Sequence, residues 1–306
     1  MPDTFFTATP DWGWLIVGYL FISGMVGGCF FLAAMLHLAG GPTDRPIVHA
    51  GYGVAMLGAL ICGILLVVDL SQPLRFWHML VQSNTGWPMF KAWSPMSVGS
   101  WGFAAFSLFA TVAAVGAWAE ARHSGSRLSS LARRWPGAVI AAVGGALALF
   151  VAGYTGVMFS VTNRPLWGDS AWLGGLFLSS AAATAAALLA IIASWRGGGQ
   201  QATLQWLQRI GAAALVVELL FLIAFVVSLG AAAQGLAGVW GWALGAVLVG
   251  GVLAPLVMQS SKQATRGNPR FFVAAALVIV GGFLLRTVIV FSSSAIHVSG
   301  SGVHGL

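Results

Sequence analysis

Between Asp69 and Gly102 the sequence reads DLSQPLRFWHMLVQSNTGWPMFKAWSPMSVGSWG. This interval brings together a carboxylate (Asp69), two cations (Arg75, Lys91), a histidine (His78) and four tryptophans. Asp69 and His78 are groups that take up and release protons. Ser94-Pro95 has the form of an N-cap followed by proline at the first helical position, which leaves backbone N–H groups facing outward from the helix start. Such a terminus favours negative charge and suits an oxygen that gains electron density during redox chemistry. Ser97, Ser100 and Trp101 fall on neighbouring parts of the first turns, two hydroxyls and a flat indole beside the helix start.

Farther along, Tyr154 lies about 10 Å from the end of an apolar segment at ~1.5 Å per helical residue. A phenol at that depth needs a partner, either a ligand carbonyl or a backbone carbonyl. The short polar stretch Ser160-Val-Thr-Asn-Arg-Pro-Leu-Trp167 then supplies Asn163 and Arg164 beside the same end. Two ionisable residues, Glu218 and Arg286, stand inside apolar segments. Each costs at least ~2.5 to 3.5 kcal/mol on insertion scales, which marks both as proton-transfer candidates or as partners in a structural ion pair.

The elements that must position these groups follow from composition. The 306 residues are 58% hydrophobic and 7% charged, against about a quarter charged in a soluble domain. Apolar runs of roughly 20 residues recur along the sequence, each long enough to cross a ~30 Å hydrocarbon layer as a helix. We read an all-α polytopic membrane protein with eight spans, at 12–38, 48–69, 94–119, 136–159, 170–195, 204–230, 237–259 and 270–291. A single membrane domain over 1–306 is expected. Its first four-helix bundle (12–159) carries a lid loop (70–93); the second bundle (170–291) is followed by a tail (292–306). Leu74, Trp77 and Val81 recur at helical spacing within the lid, which predicts a short surface helix there.

Orientation follows from Lys and Arg in the loops. The first, third, fifth and seventh loops carry nine of them and the remaining loops three, which predicts both termini and the lid on the outer, extracytoplasmic side. The +7 formal charge is thereby a topology signal and not a nucleic-acid footprint. The first apolar run lacks a basic leader and a cleavage site and is expected to stay in the mature protein.

Cys29 and Cys62 sit singly inside the first two apolar runs, as small core residues rather than cluster ligands. Bis-histidine haem needs two histidines at matched depth on facing helices. His37 and His49 fall at inner ends, and His78, His123, His297 and His304 in loops or the tail. No metal site is expected. A secondary transporter for a small anion would show helices broken at mid-membrane in both halves, whereas the prolines here fall at helix ends, Pro255 excepted. A passive anchor without redox chemistry is the other alternative.

In order along the sequence, WLIVGYLFISGMVGG (14–28), Asp69-Leu-Ser-Gln-Pro-Leu-Arg-Phe-Trp-His78, Ser94-Pro-Met-Ser-Val-Gly-Ser-Trp-Gly102, Tyr154-Thr-Gly, Asn163-Arg-Pro-Leu-Trp167 and Gly281-Gly-Phe-Leu-Leu-Arg286 resemble the NrfD-like membrane subunits of polysulfide reductase and related molybdoenzyme or multihaem complexes. The resemblance implies a quinone-reactive anchor in the inner membrane of a prokaryote, binding menaquinone or ubiquinone near the outer face. It also implies an outer ferredoxin-like subunit with several iron–sulfur clusters, wired to a molybdopterin or multihaem catalytic subunit. By position Tyr154 looks like the family tyrosine near the quinone head group, and Asp69 resembles the acidic residue closing the second helix. Thr9 and Asp11 stand at the outer start of the first helix.

Overall fold

The computed structural model describes residues 12–70, 72–122, 127–162, 164, 166–196, 201–230, 233, 236, 238–260 and 269–300, with side chains left out at 128, 260 and 294–300. It is all-helical in its regular elements. The chain runs through α1 (Trp14–Ala39), α2 (Arg45–Asp69), α3 (Pro95–Arg122), the short α4 (Arg127–Arg133), α5 (Trp135–Ser160), α6 (Leu173–Arg196) and α7 (Gln201–Ser228). It continues through α8 (Val239–Ala246), a π-helical segment (Val247–Leu253), α9 (Ala254–Ser260) and α10 (Pro269–Gly300). Eight helical stretches, α8 to α9 counting as one, are long and apolar enough to cross a membrane. The expected spans agree with them to within a few residues.

Proline punctuates the starts. Pro46 and Pro136 occupy the first turns of α2 and α5, and Pro95 and Pro269 open α3 and α10. A missing N–H costs nothing there because the first-turn donors have no intrahelical acceptor. The molecule is apolar on its exterior as well as in its core. Leu57, Leu60, Ile64, Leu220, Val227 and Val257 are exposed, while Ser180, Thr184, Glu218 and Arg286 are buried. An apolar belt of this extent is unfavourable in water and suited to lipid.

Helix α1 packs against α2, α5, α6 and α10, and α6 against α1, α5, α7 and α10, so these two form the centre of the molecule. Close approach is the reason for Gly28, where a methyl would come within 2.6 Å of the Ala181 carbonyl oxygen of α6. Small residues let helix backbones meet where lipid supplies no hydrophobic drive for association. The π-helical segment lies against α10 in the same way, with Gly251 facing Gly281.

The two ends of the molecule differ. At one end lie Arg45, Arg122, Arg127, Arg133, Arg134 and Arg196, the last donating from Nη1 to the Pro46 carbonyl at 2.9 Å. Thr203, in the first turn of α7, donates its hydroxyl proton to Asp44 at this same end. At the other end are the 70–93 loop and the 161–172 connection. There Trp167 is fully buried, stacked on Trp12 at 4.8 Å, and donates from Nε1 to the Ile289 carbonyl of α10 at 2.7 Å.

Candidate functional site

The lid is built in three steps. A short exposed helix stands where one was expected, over Pro73–Met79, and it is of the 3-10 type. The backbone then turns back on itself through an antiparallel bridge between Val81 and Pro88. Gln82 N–H donates to the Trp87 carbonyl at 2.9 Å and Met89 N–H to the Leu80 carbonyl at 2.8 Å. Gly86, at φ +69°, supplies the left-handed residue the reversal requires. Leu74 is 89% exposed and Trp87 72%, so much of the lid's apolar surface points away from the helices.

The start of α3 is fastened to this lid. Ser94 Oγ accepts from Ser97 N–H at 3.4 Å, as an N-cap does. Ser97 Oγ accepts from Lys91 N–H at 3.0 Å and lies 3.5 Å from the Met89 carbonyl. That carbonyl also accepts from Trp101 Nε1 at 2.9 Å. Ser100 donates back along its own helix to the Met96 carbonyl at 2.8 Å. The three side chains expected to grip a ligand thus bond to backbone. Ser97 and Trp101 pin the lid to the helix start, and Ser100 bonds within its own turn.

Tyr154 comes to the same place from α5. Its hydroxyl donates to the Pro95 carbonyl in the first turn of α3 and lies 2.8 Å from Met158 Sδ. The ring stacks on Phe150 with centroids 5.2 Å apart and covers Gly99, where no side chain would fit. Tyr154 is half-buried.

Asp69 closes α2, is exposed, and makes no hydrogen bond or ion pair among the described residues. His78 stands against Trp77 with ring centroids 3.8 Å apart, and Arg75 is exposed on the 3-10 helix. Arg164 turns toward the second half of the molecule, with Nη1 3.3 Å from Ser293 Oγ and its guanidinium 5.1 Å from the centroid of the Trp167 ring. Asn163 lies outside the described residues.

The two intramembrane charges lie on either side of Ser180, with no direct ion pair between them among the described residues. Arg286 is fully buried, and its guanidinium reaches three helices. Nε donates to the Leu20 carbonyl of α1 at 3.3 Å, Nη2 to Phe177 of α6 at 3.3 Å, and Nη1 to Ser180 Oγ at 3.0 Å and Gly282 at 2.8 Å. Glu218 of α7, 4% exposed, faces Ser180 and lies within the electrostatic reach of Arg286. Thr184 is one turn from Ser180 on α6 and buried, whereas Thr111 is on the exposed face of α3. A buried guanidinium and a buried carboxylate that share one hydroxyl neighbour attract each other through the low-dielectric interior, which offsets part of the cost of burying each.

At the opposite end of the molecule sequence reasoning does not single out Glu120, and the structure makes it the centre of a charge cluster. Glu120, at the end of α3, accepts from Arg133 Nε at 2.8 Å and pairs with His49 Nε2 at 3.2 Å. Arg45 Nη1 lies 3.6 Å from the same carboxylate. His37 Nδ1 is 3.0 Å from the Tyr52 hydroxyl nearby. The signal available was a lone glutamate in the last turn of a span flanked by basic loops.

Similarity to known proteins extends over nearly the whole sequence. The family model described as "Polysulphide reductase, NrfD" matches residues 4–298. The protein called NrfD of Escherichia coli (strain K12) is 26% identical over 316 residues, spanning 92% of this chain and 94% of that protein. The C subunit of polysulfide reductase from Wolinella succinogenes is 34% identical over 79 residues, a quarter of each protein. With eight membrane-length helices and a family match from the first residues to the last helix, this chain belongs to the NrfD polysulphide reductase family of membrane subunits.

Proposed function

We propose that the protein is the quinone-reactive anchor of a respiratory oxidoreductase complex, exchanging electrons between the membrane quinone pool and an iron–sulfur partner. The observation that carries this reading is the convergence of the Tyr154 hydroxyl on the first turn of α3 over Gly99, beneath a lid pinned by Ser97 and Trp101. A bound menaquinone or ubiquinone would supply the two-electron, two-proton chemistry. The protein supplies the grip and the protons. Tyr154 has one hydroxyl proton, given to the Pro95 carbonyl here, and a rotation about its C–O bond redirects it to a ligand oxygen. The positive end of α3 favours the same oxygen as it gains charge. Asp69 and His78, one exposed and one half-buried, exchange protons with water at the lid end. Phe150 and the indole of Trp101 give the apolar walls a ring requires.

In this reading the helices form two four-helix bundles. The contacts α1–α2, α2–α3, α3–α5 and α1–α5 support the first, and those joining α6, α7, the α8–α9 span and α10 support the second. Both termini and the lid lie on the outer side of a prokaryotic inner membrane, as the loop cations argue. A ferredoxin-like multi-cluster subunit docks over the lid end and connects to a molybdopterin or multihaem catalytic subunit.

In the assembled complex, Asp69→Asn and Tyr154→Phe are each expected to abolish quinone-coupled turnover while reduction of artificial dyes continues. Unchanged quinone activity in both variants would remove these residues from the mechanism.

Proton transfer between the pocket and the opposite face belongs to the same proposal, with Glu218, Ser180 and Arg286 as the membrane-buried station. Glu218→Gln keeps the shape of the side chain beside Ser180 and removes the exchangeable carboxyl. Proton uptake in sealed vesicles is expected to fall in this variant relative to electron flux. An equal proton-to-electron ratio would rule the glutamate out.

A further inference from the structure

At the basic end of the molecule, a cavity of about 200 Å³ opens between the first turns of α2, the last turns of α3 and the start of α5, with α4 beside it. A cavity of ~150 Å³ holds a benzene-sized body, so this one admits a small head group and the first part of an acyl tail. Val112, Leu131 and Ile140 give it apolar walls, and Val112 and Leu131 are exposed at its mouth. Arg45, His49, Tyr52 and Glu120 form its polar edge.

The polar edge has a donor to spare. Both Glu120 oxygens are committed, Oε1 to Arg133 and Oε2 to His49. Arg45 Nη1 is buried and, at 3.6 Å from Oε2, is attracted to the carboxylate but makes no hydrogen bond among the described residues. A buried donor left unmet is costly, and a guanidinium is best met by an anionic oxygen. Two guanidiniums face one carboxylate, so the edge has excess positive charge and tolerates such an oxygen. An anionic oxygen alone would leave the apolar walls unused.

We propose that this cavity binds an acidic phospholipid, with a phosphate oxygen accepting from Arg45 Nη1 and the proximal acyl tail against Val112 and Leu131. The position suits it, since Arg45 is the first residue of a membrane-length helix, and basic pockets between membrane helices hold acidic lipid heads. Glu120, held by Arg133 and His49, acts as the post that keeps the Arg45 guanidinium over the cavity. The site is separate from the quinone reading. Ile140 and Tyr154 are fourteen residues apart on α5, roughly 21 Å along the helix.

The test uses the full-length protein in detergent, offered phosphatidylglycerol or phosphatidylcholine, with retained lipid read by native mass spectrometry. Inorganic phosphate in a parallel thermal-unfolding series distinguishes a free anion from a lipid head. The wild type is expected to retain phosphatidylglycerol and shed phosphatidylcholine, with no stabilisation by inorganic phosphate. Arg45→Gln should weaken phosphatidylglycerol retention by about tenfold or more, the loss of one charged hydrogen bond. Arg127→Gln, which removes an exposed cation outside the cavity, should leave it unchanged. Should Arg45→Gln not yield folded protein, Val112→Trp at the exposed mouth blocks the cavity without touching the ion cluster, and it too should lose the lipid. Equal retention of both lipids, undiminished phosphatidylglycerol in the cavity variants, or stabilisation by inorganic phosphate equal to that by lipid would each overturn the proposal.

Discussion

Replacing Gly99 by valine is expected to reduce quinone-coupled turnover in the assembled complex by about a hundredfold while dye reduction persists. A Cβ on Gly99 falls on the Tyr154 ring, so α3 and α5 must part or the phenol must swing away from Pro95. A misplacement of about 1 Å at a reacting centre costs a factor of that order. The double variant Gly99→Val, Tyr154→Leu separates packing from chemistry. Leucine makes room, so thermal stability should recover toward wild type, but turnover should not, because the hydroxyl is gone. Recovery of both would show that the tyrosine only fills space. Turnover is followed with a reduced quinone analogue, and assembly by co-purification of the partner subunits.

Replacing Arg286 by leucine should destabilise the folded protein by about 3–5 kcal/mol, the usual consequence of leaving one partner of a buried pair behind. Glu218 would remain buried, and the Leu20 and Phe177 carbonyls and Ser180 would each lose a donor. Lysine should recover only part of this, since a single ammonium cannot span three helices as a planar fork does. Arg286→Leu combined with Glu218→Leu should recover more than lysine does, because the uncompensated charge is gone. Unfolding midpoints in detergent measure all three. A single leucine variant as stable as wild type would mean that the pair is not coupled.

Much of this arrangement is legible in the residues alone. Eight apolar runs, prolines at their starts and Ser94-Pro95 as a capped entry are local signals, and local signals survive folding. Tyr154 is legible as a phenol in need of a partner, and Arg286 and Glu218 as charges too costly to stand alone. The roles of Ser97 and Trp101 are not. They depend on where the Met89 carbonyl is brought by a reversal at Gly86, a tertiary fact that no spacing encodes. The Glu120 cluster escapes for a related reason. His49 and Glu120 are 71 residues apart, and each taken alone is an unremarkable polar residue at a helix end. The contacts of Arg164 with Trp167 and Ser293 are likewise tertiary, set where the buried indole anchors the loop to α10.

The burial of Arg286 also bears on how the protein is made. A lone arginine is among the least welcome residues in a segment entering a bilayer, and here it rides on α10, which follows the helices that hold its partners. Its acceptors on α1 and α6, and the carboxylate on α7, all emerge earlier. Biogenesis therefore has a required order: the earlier helices must already be gathered when α10 arrives, so that the guanidinium passes from the insertion machinery straight to waiting oxygens. A truncated protein ending before Pro269 would present that empty receptacle, and a final helix supplied separately would have somewhere to dock.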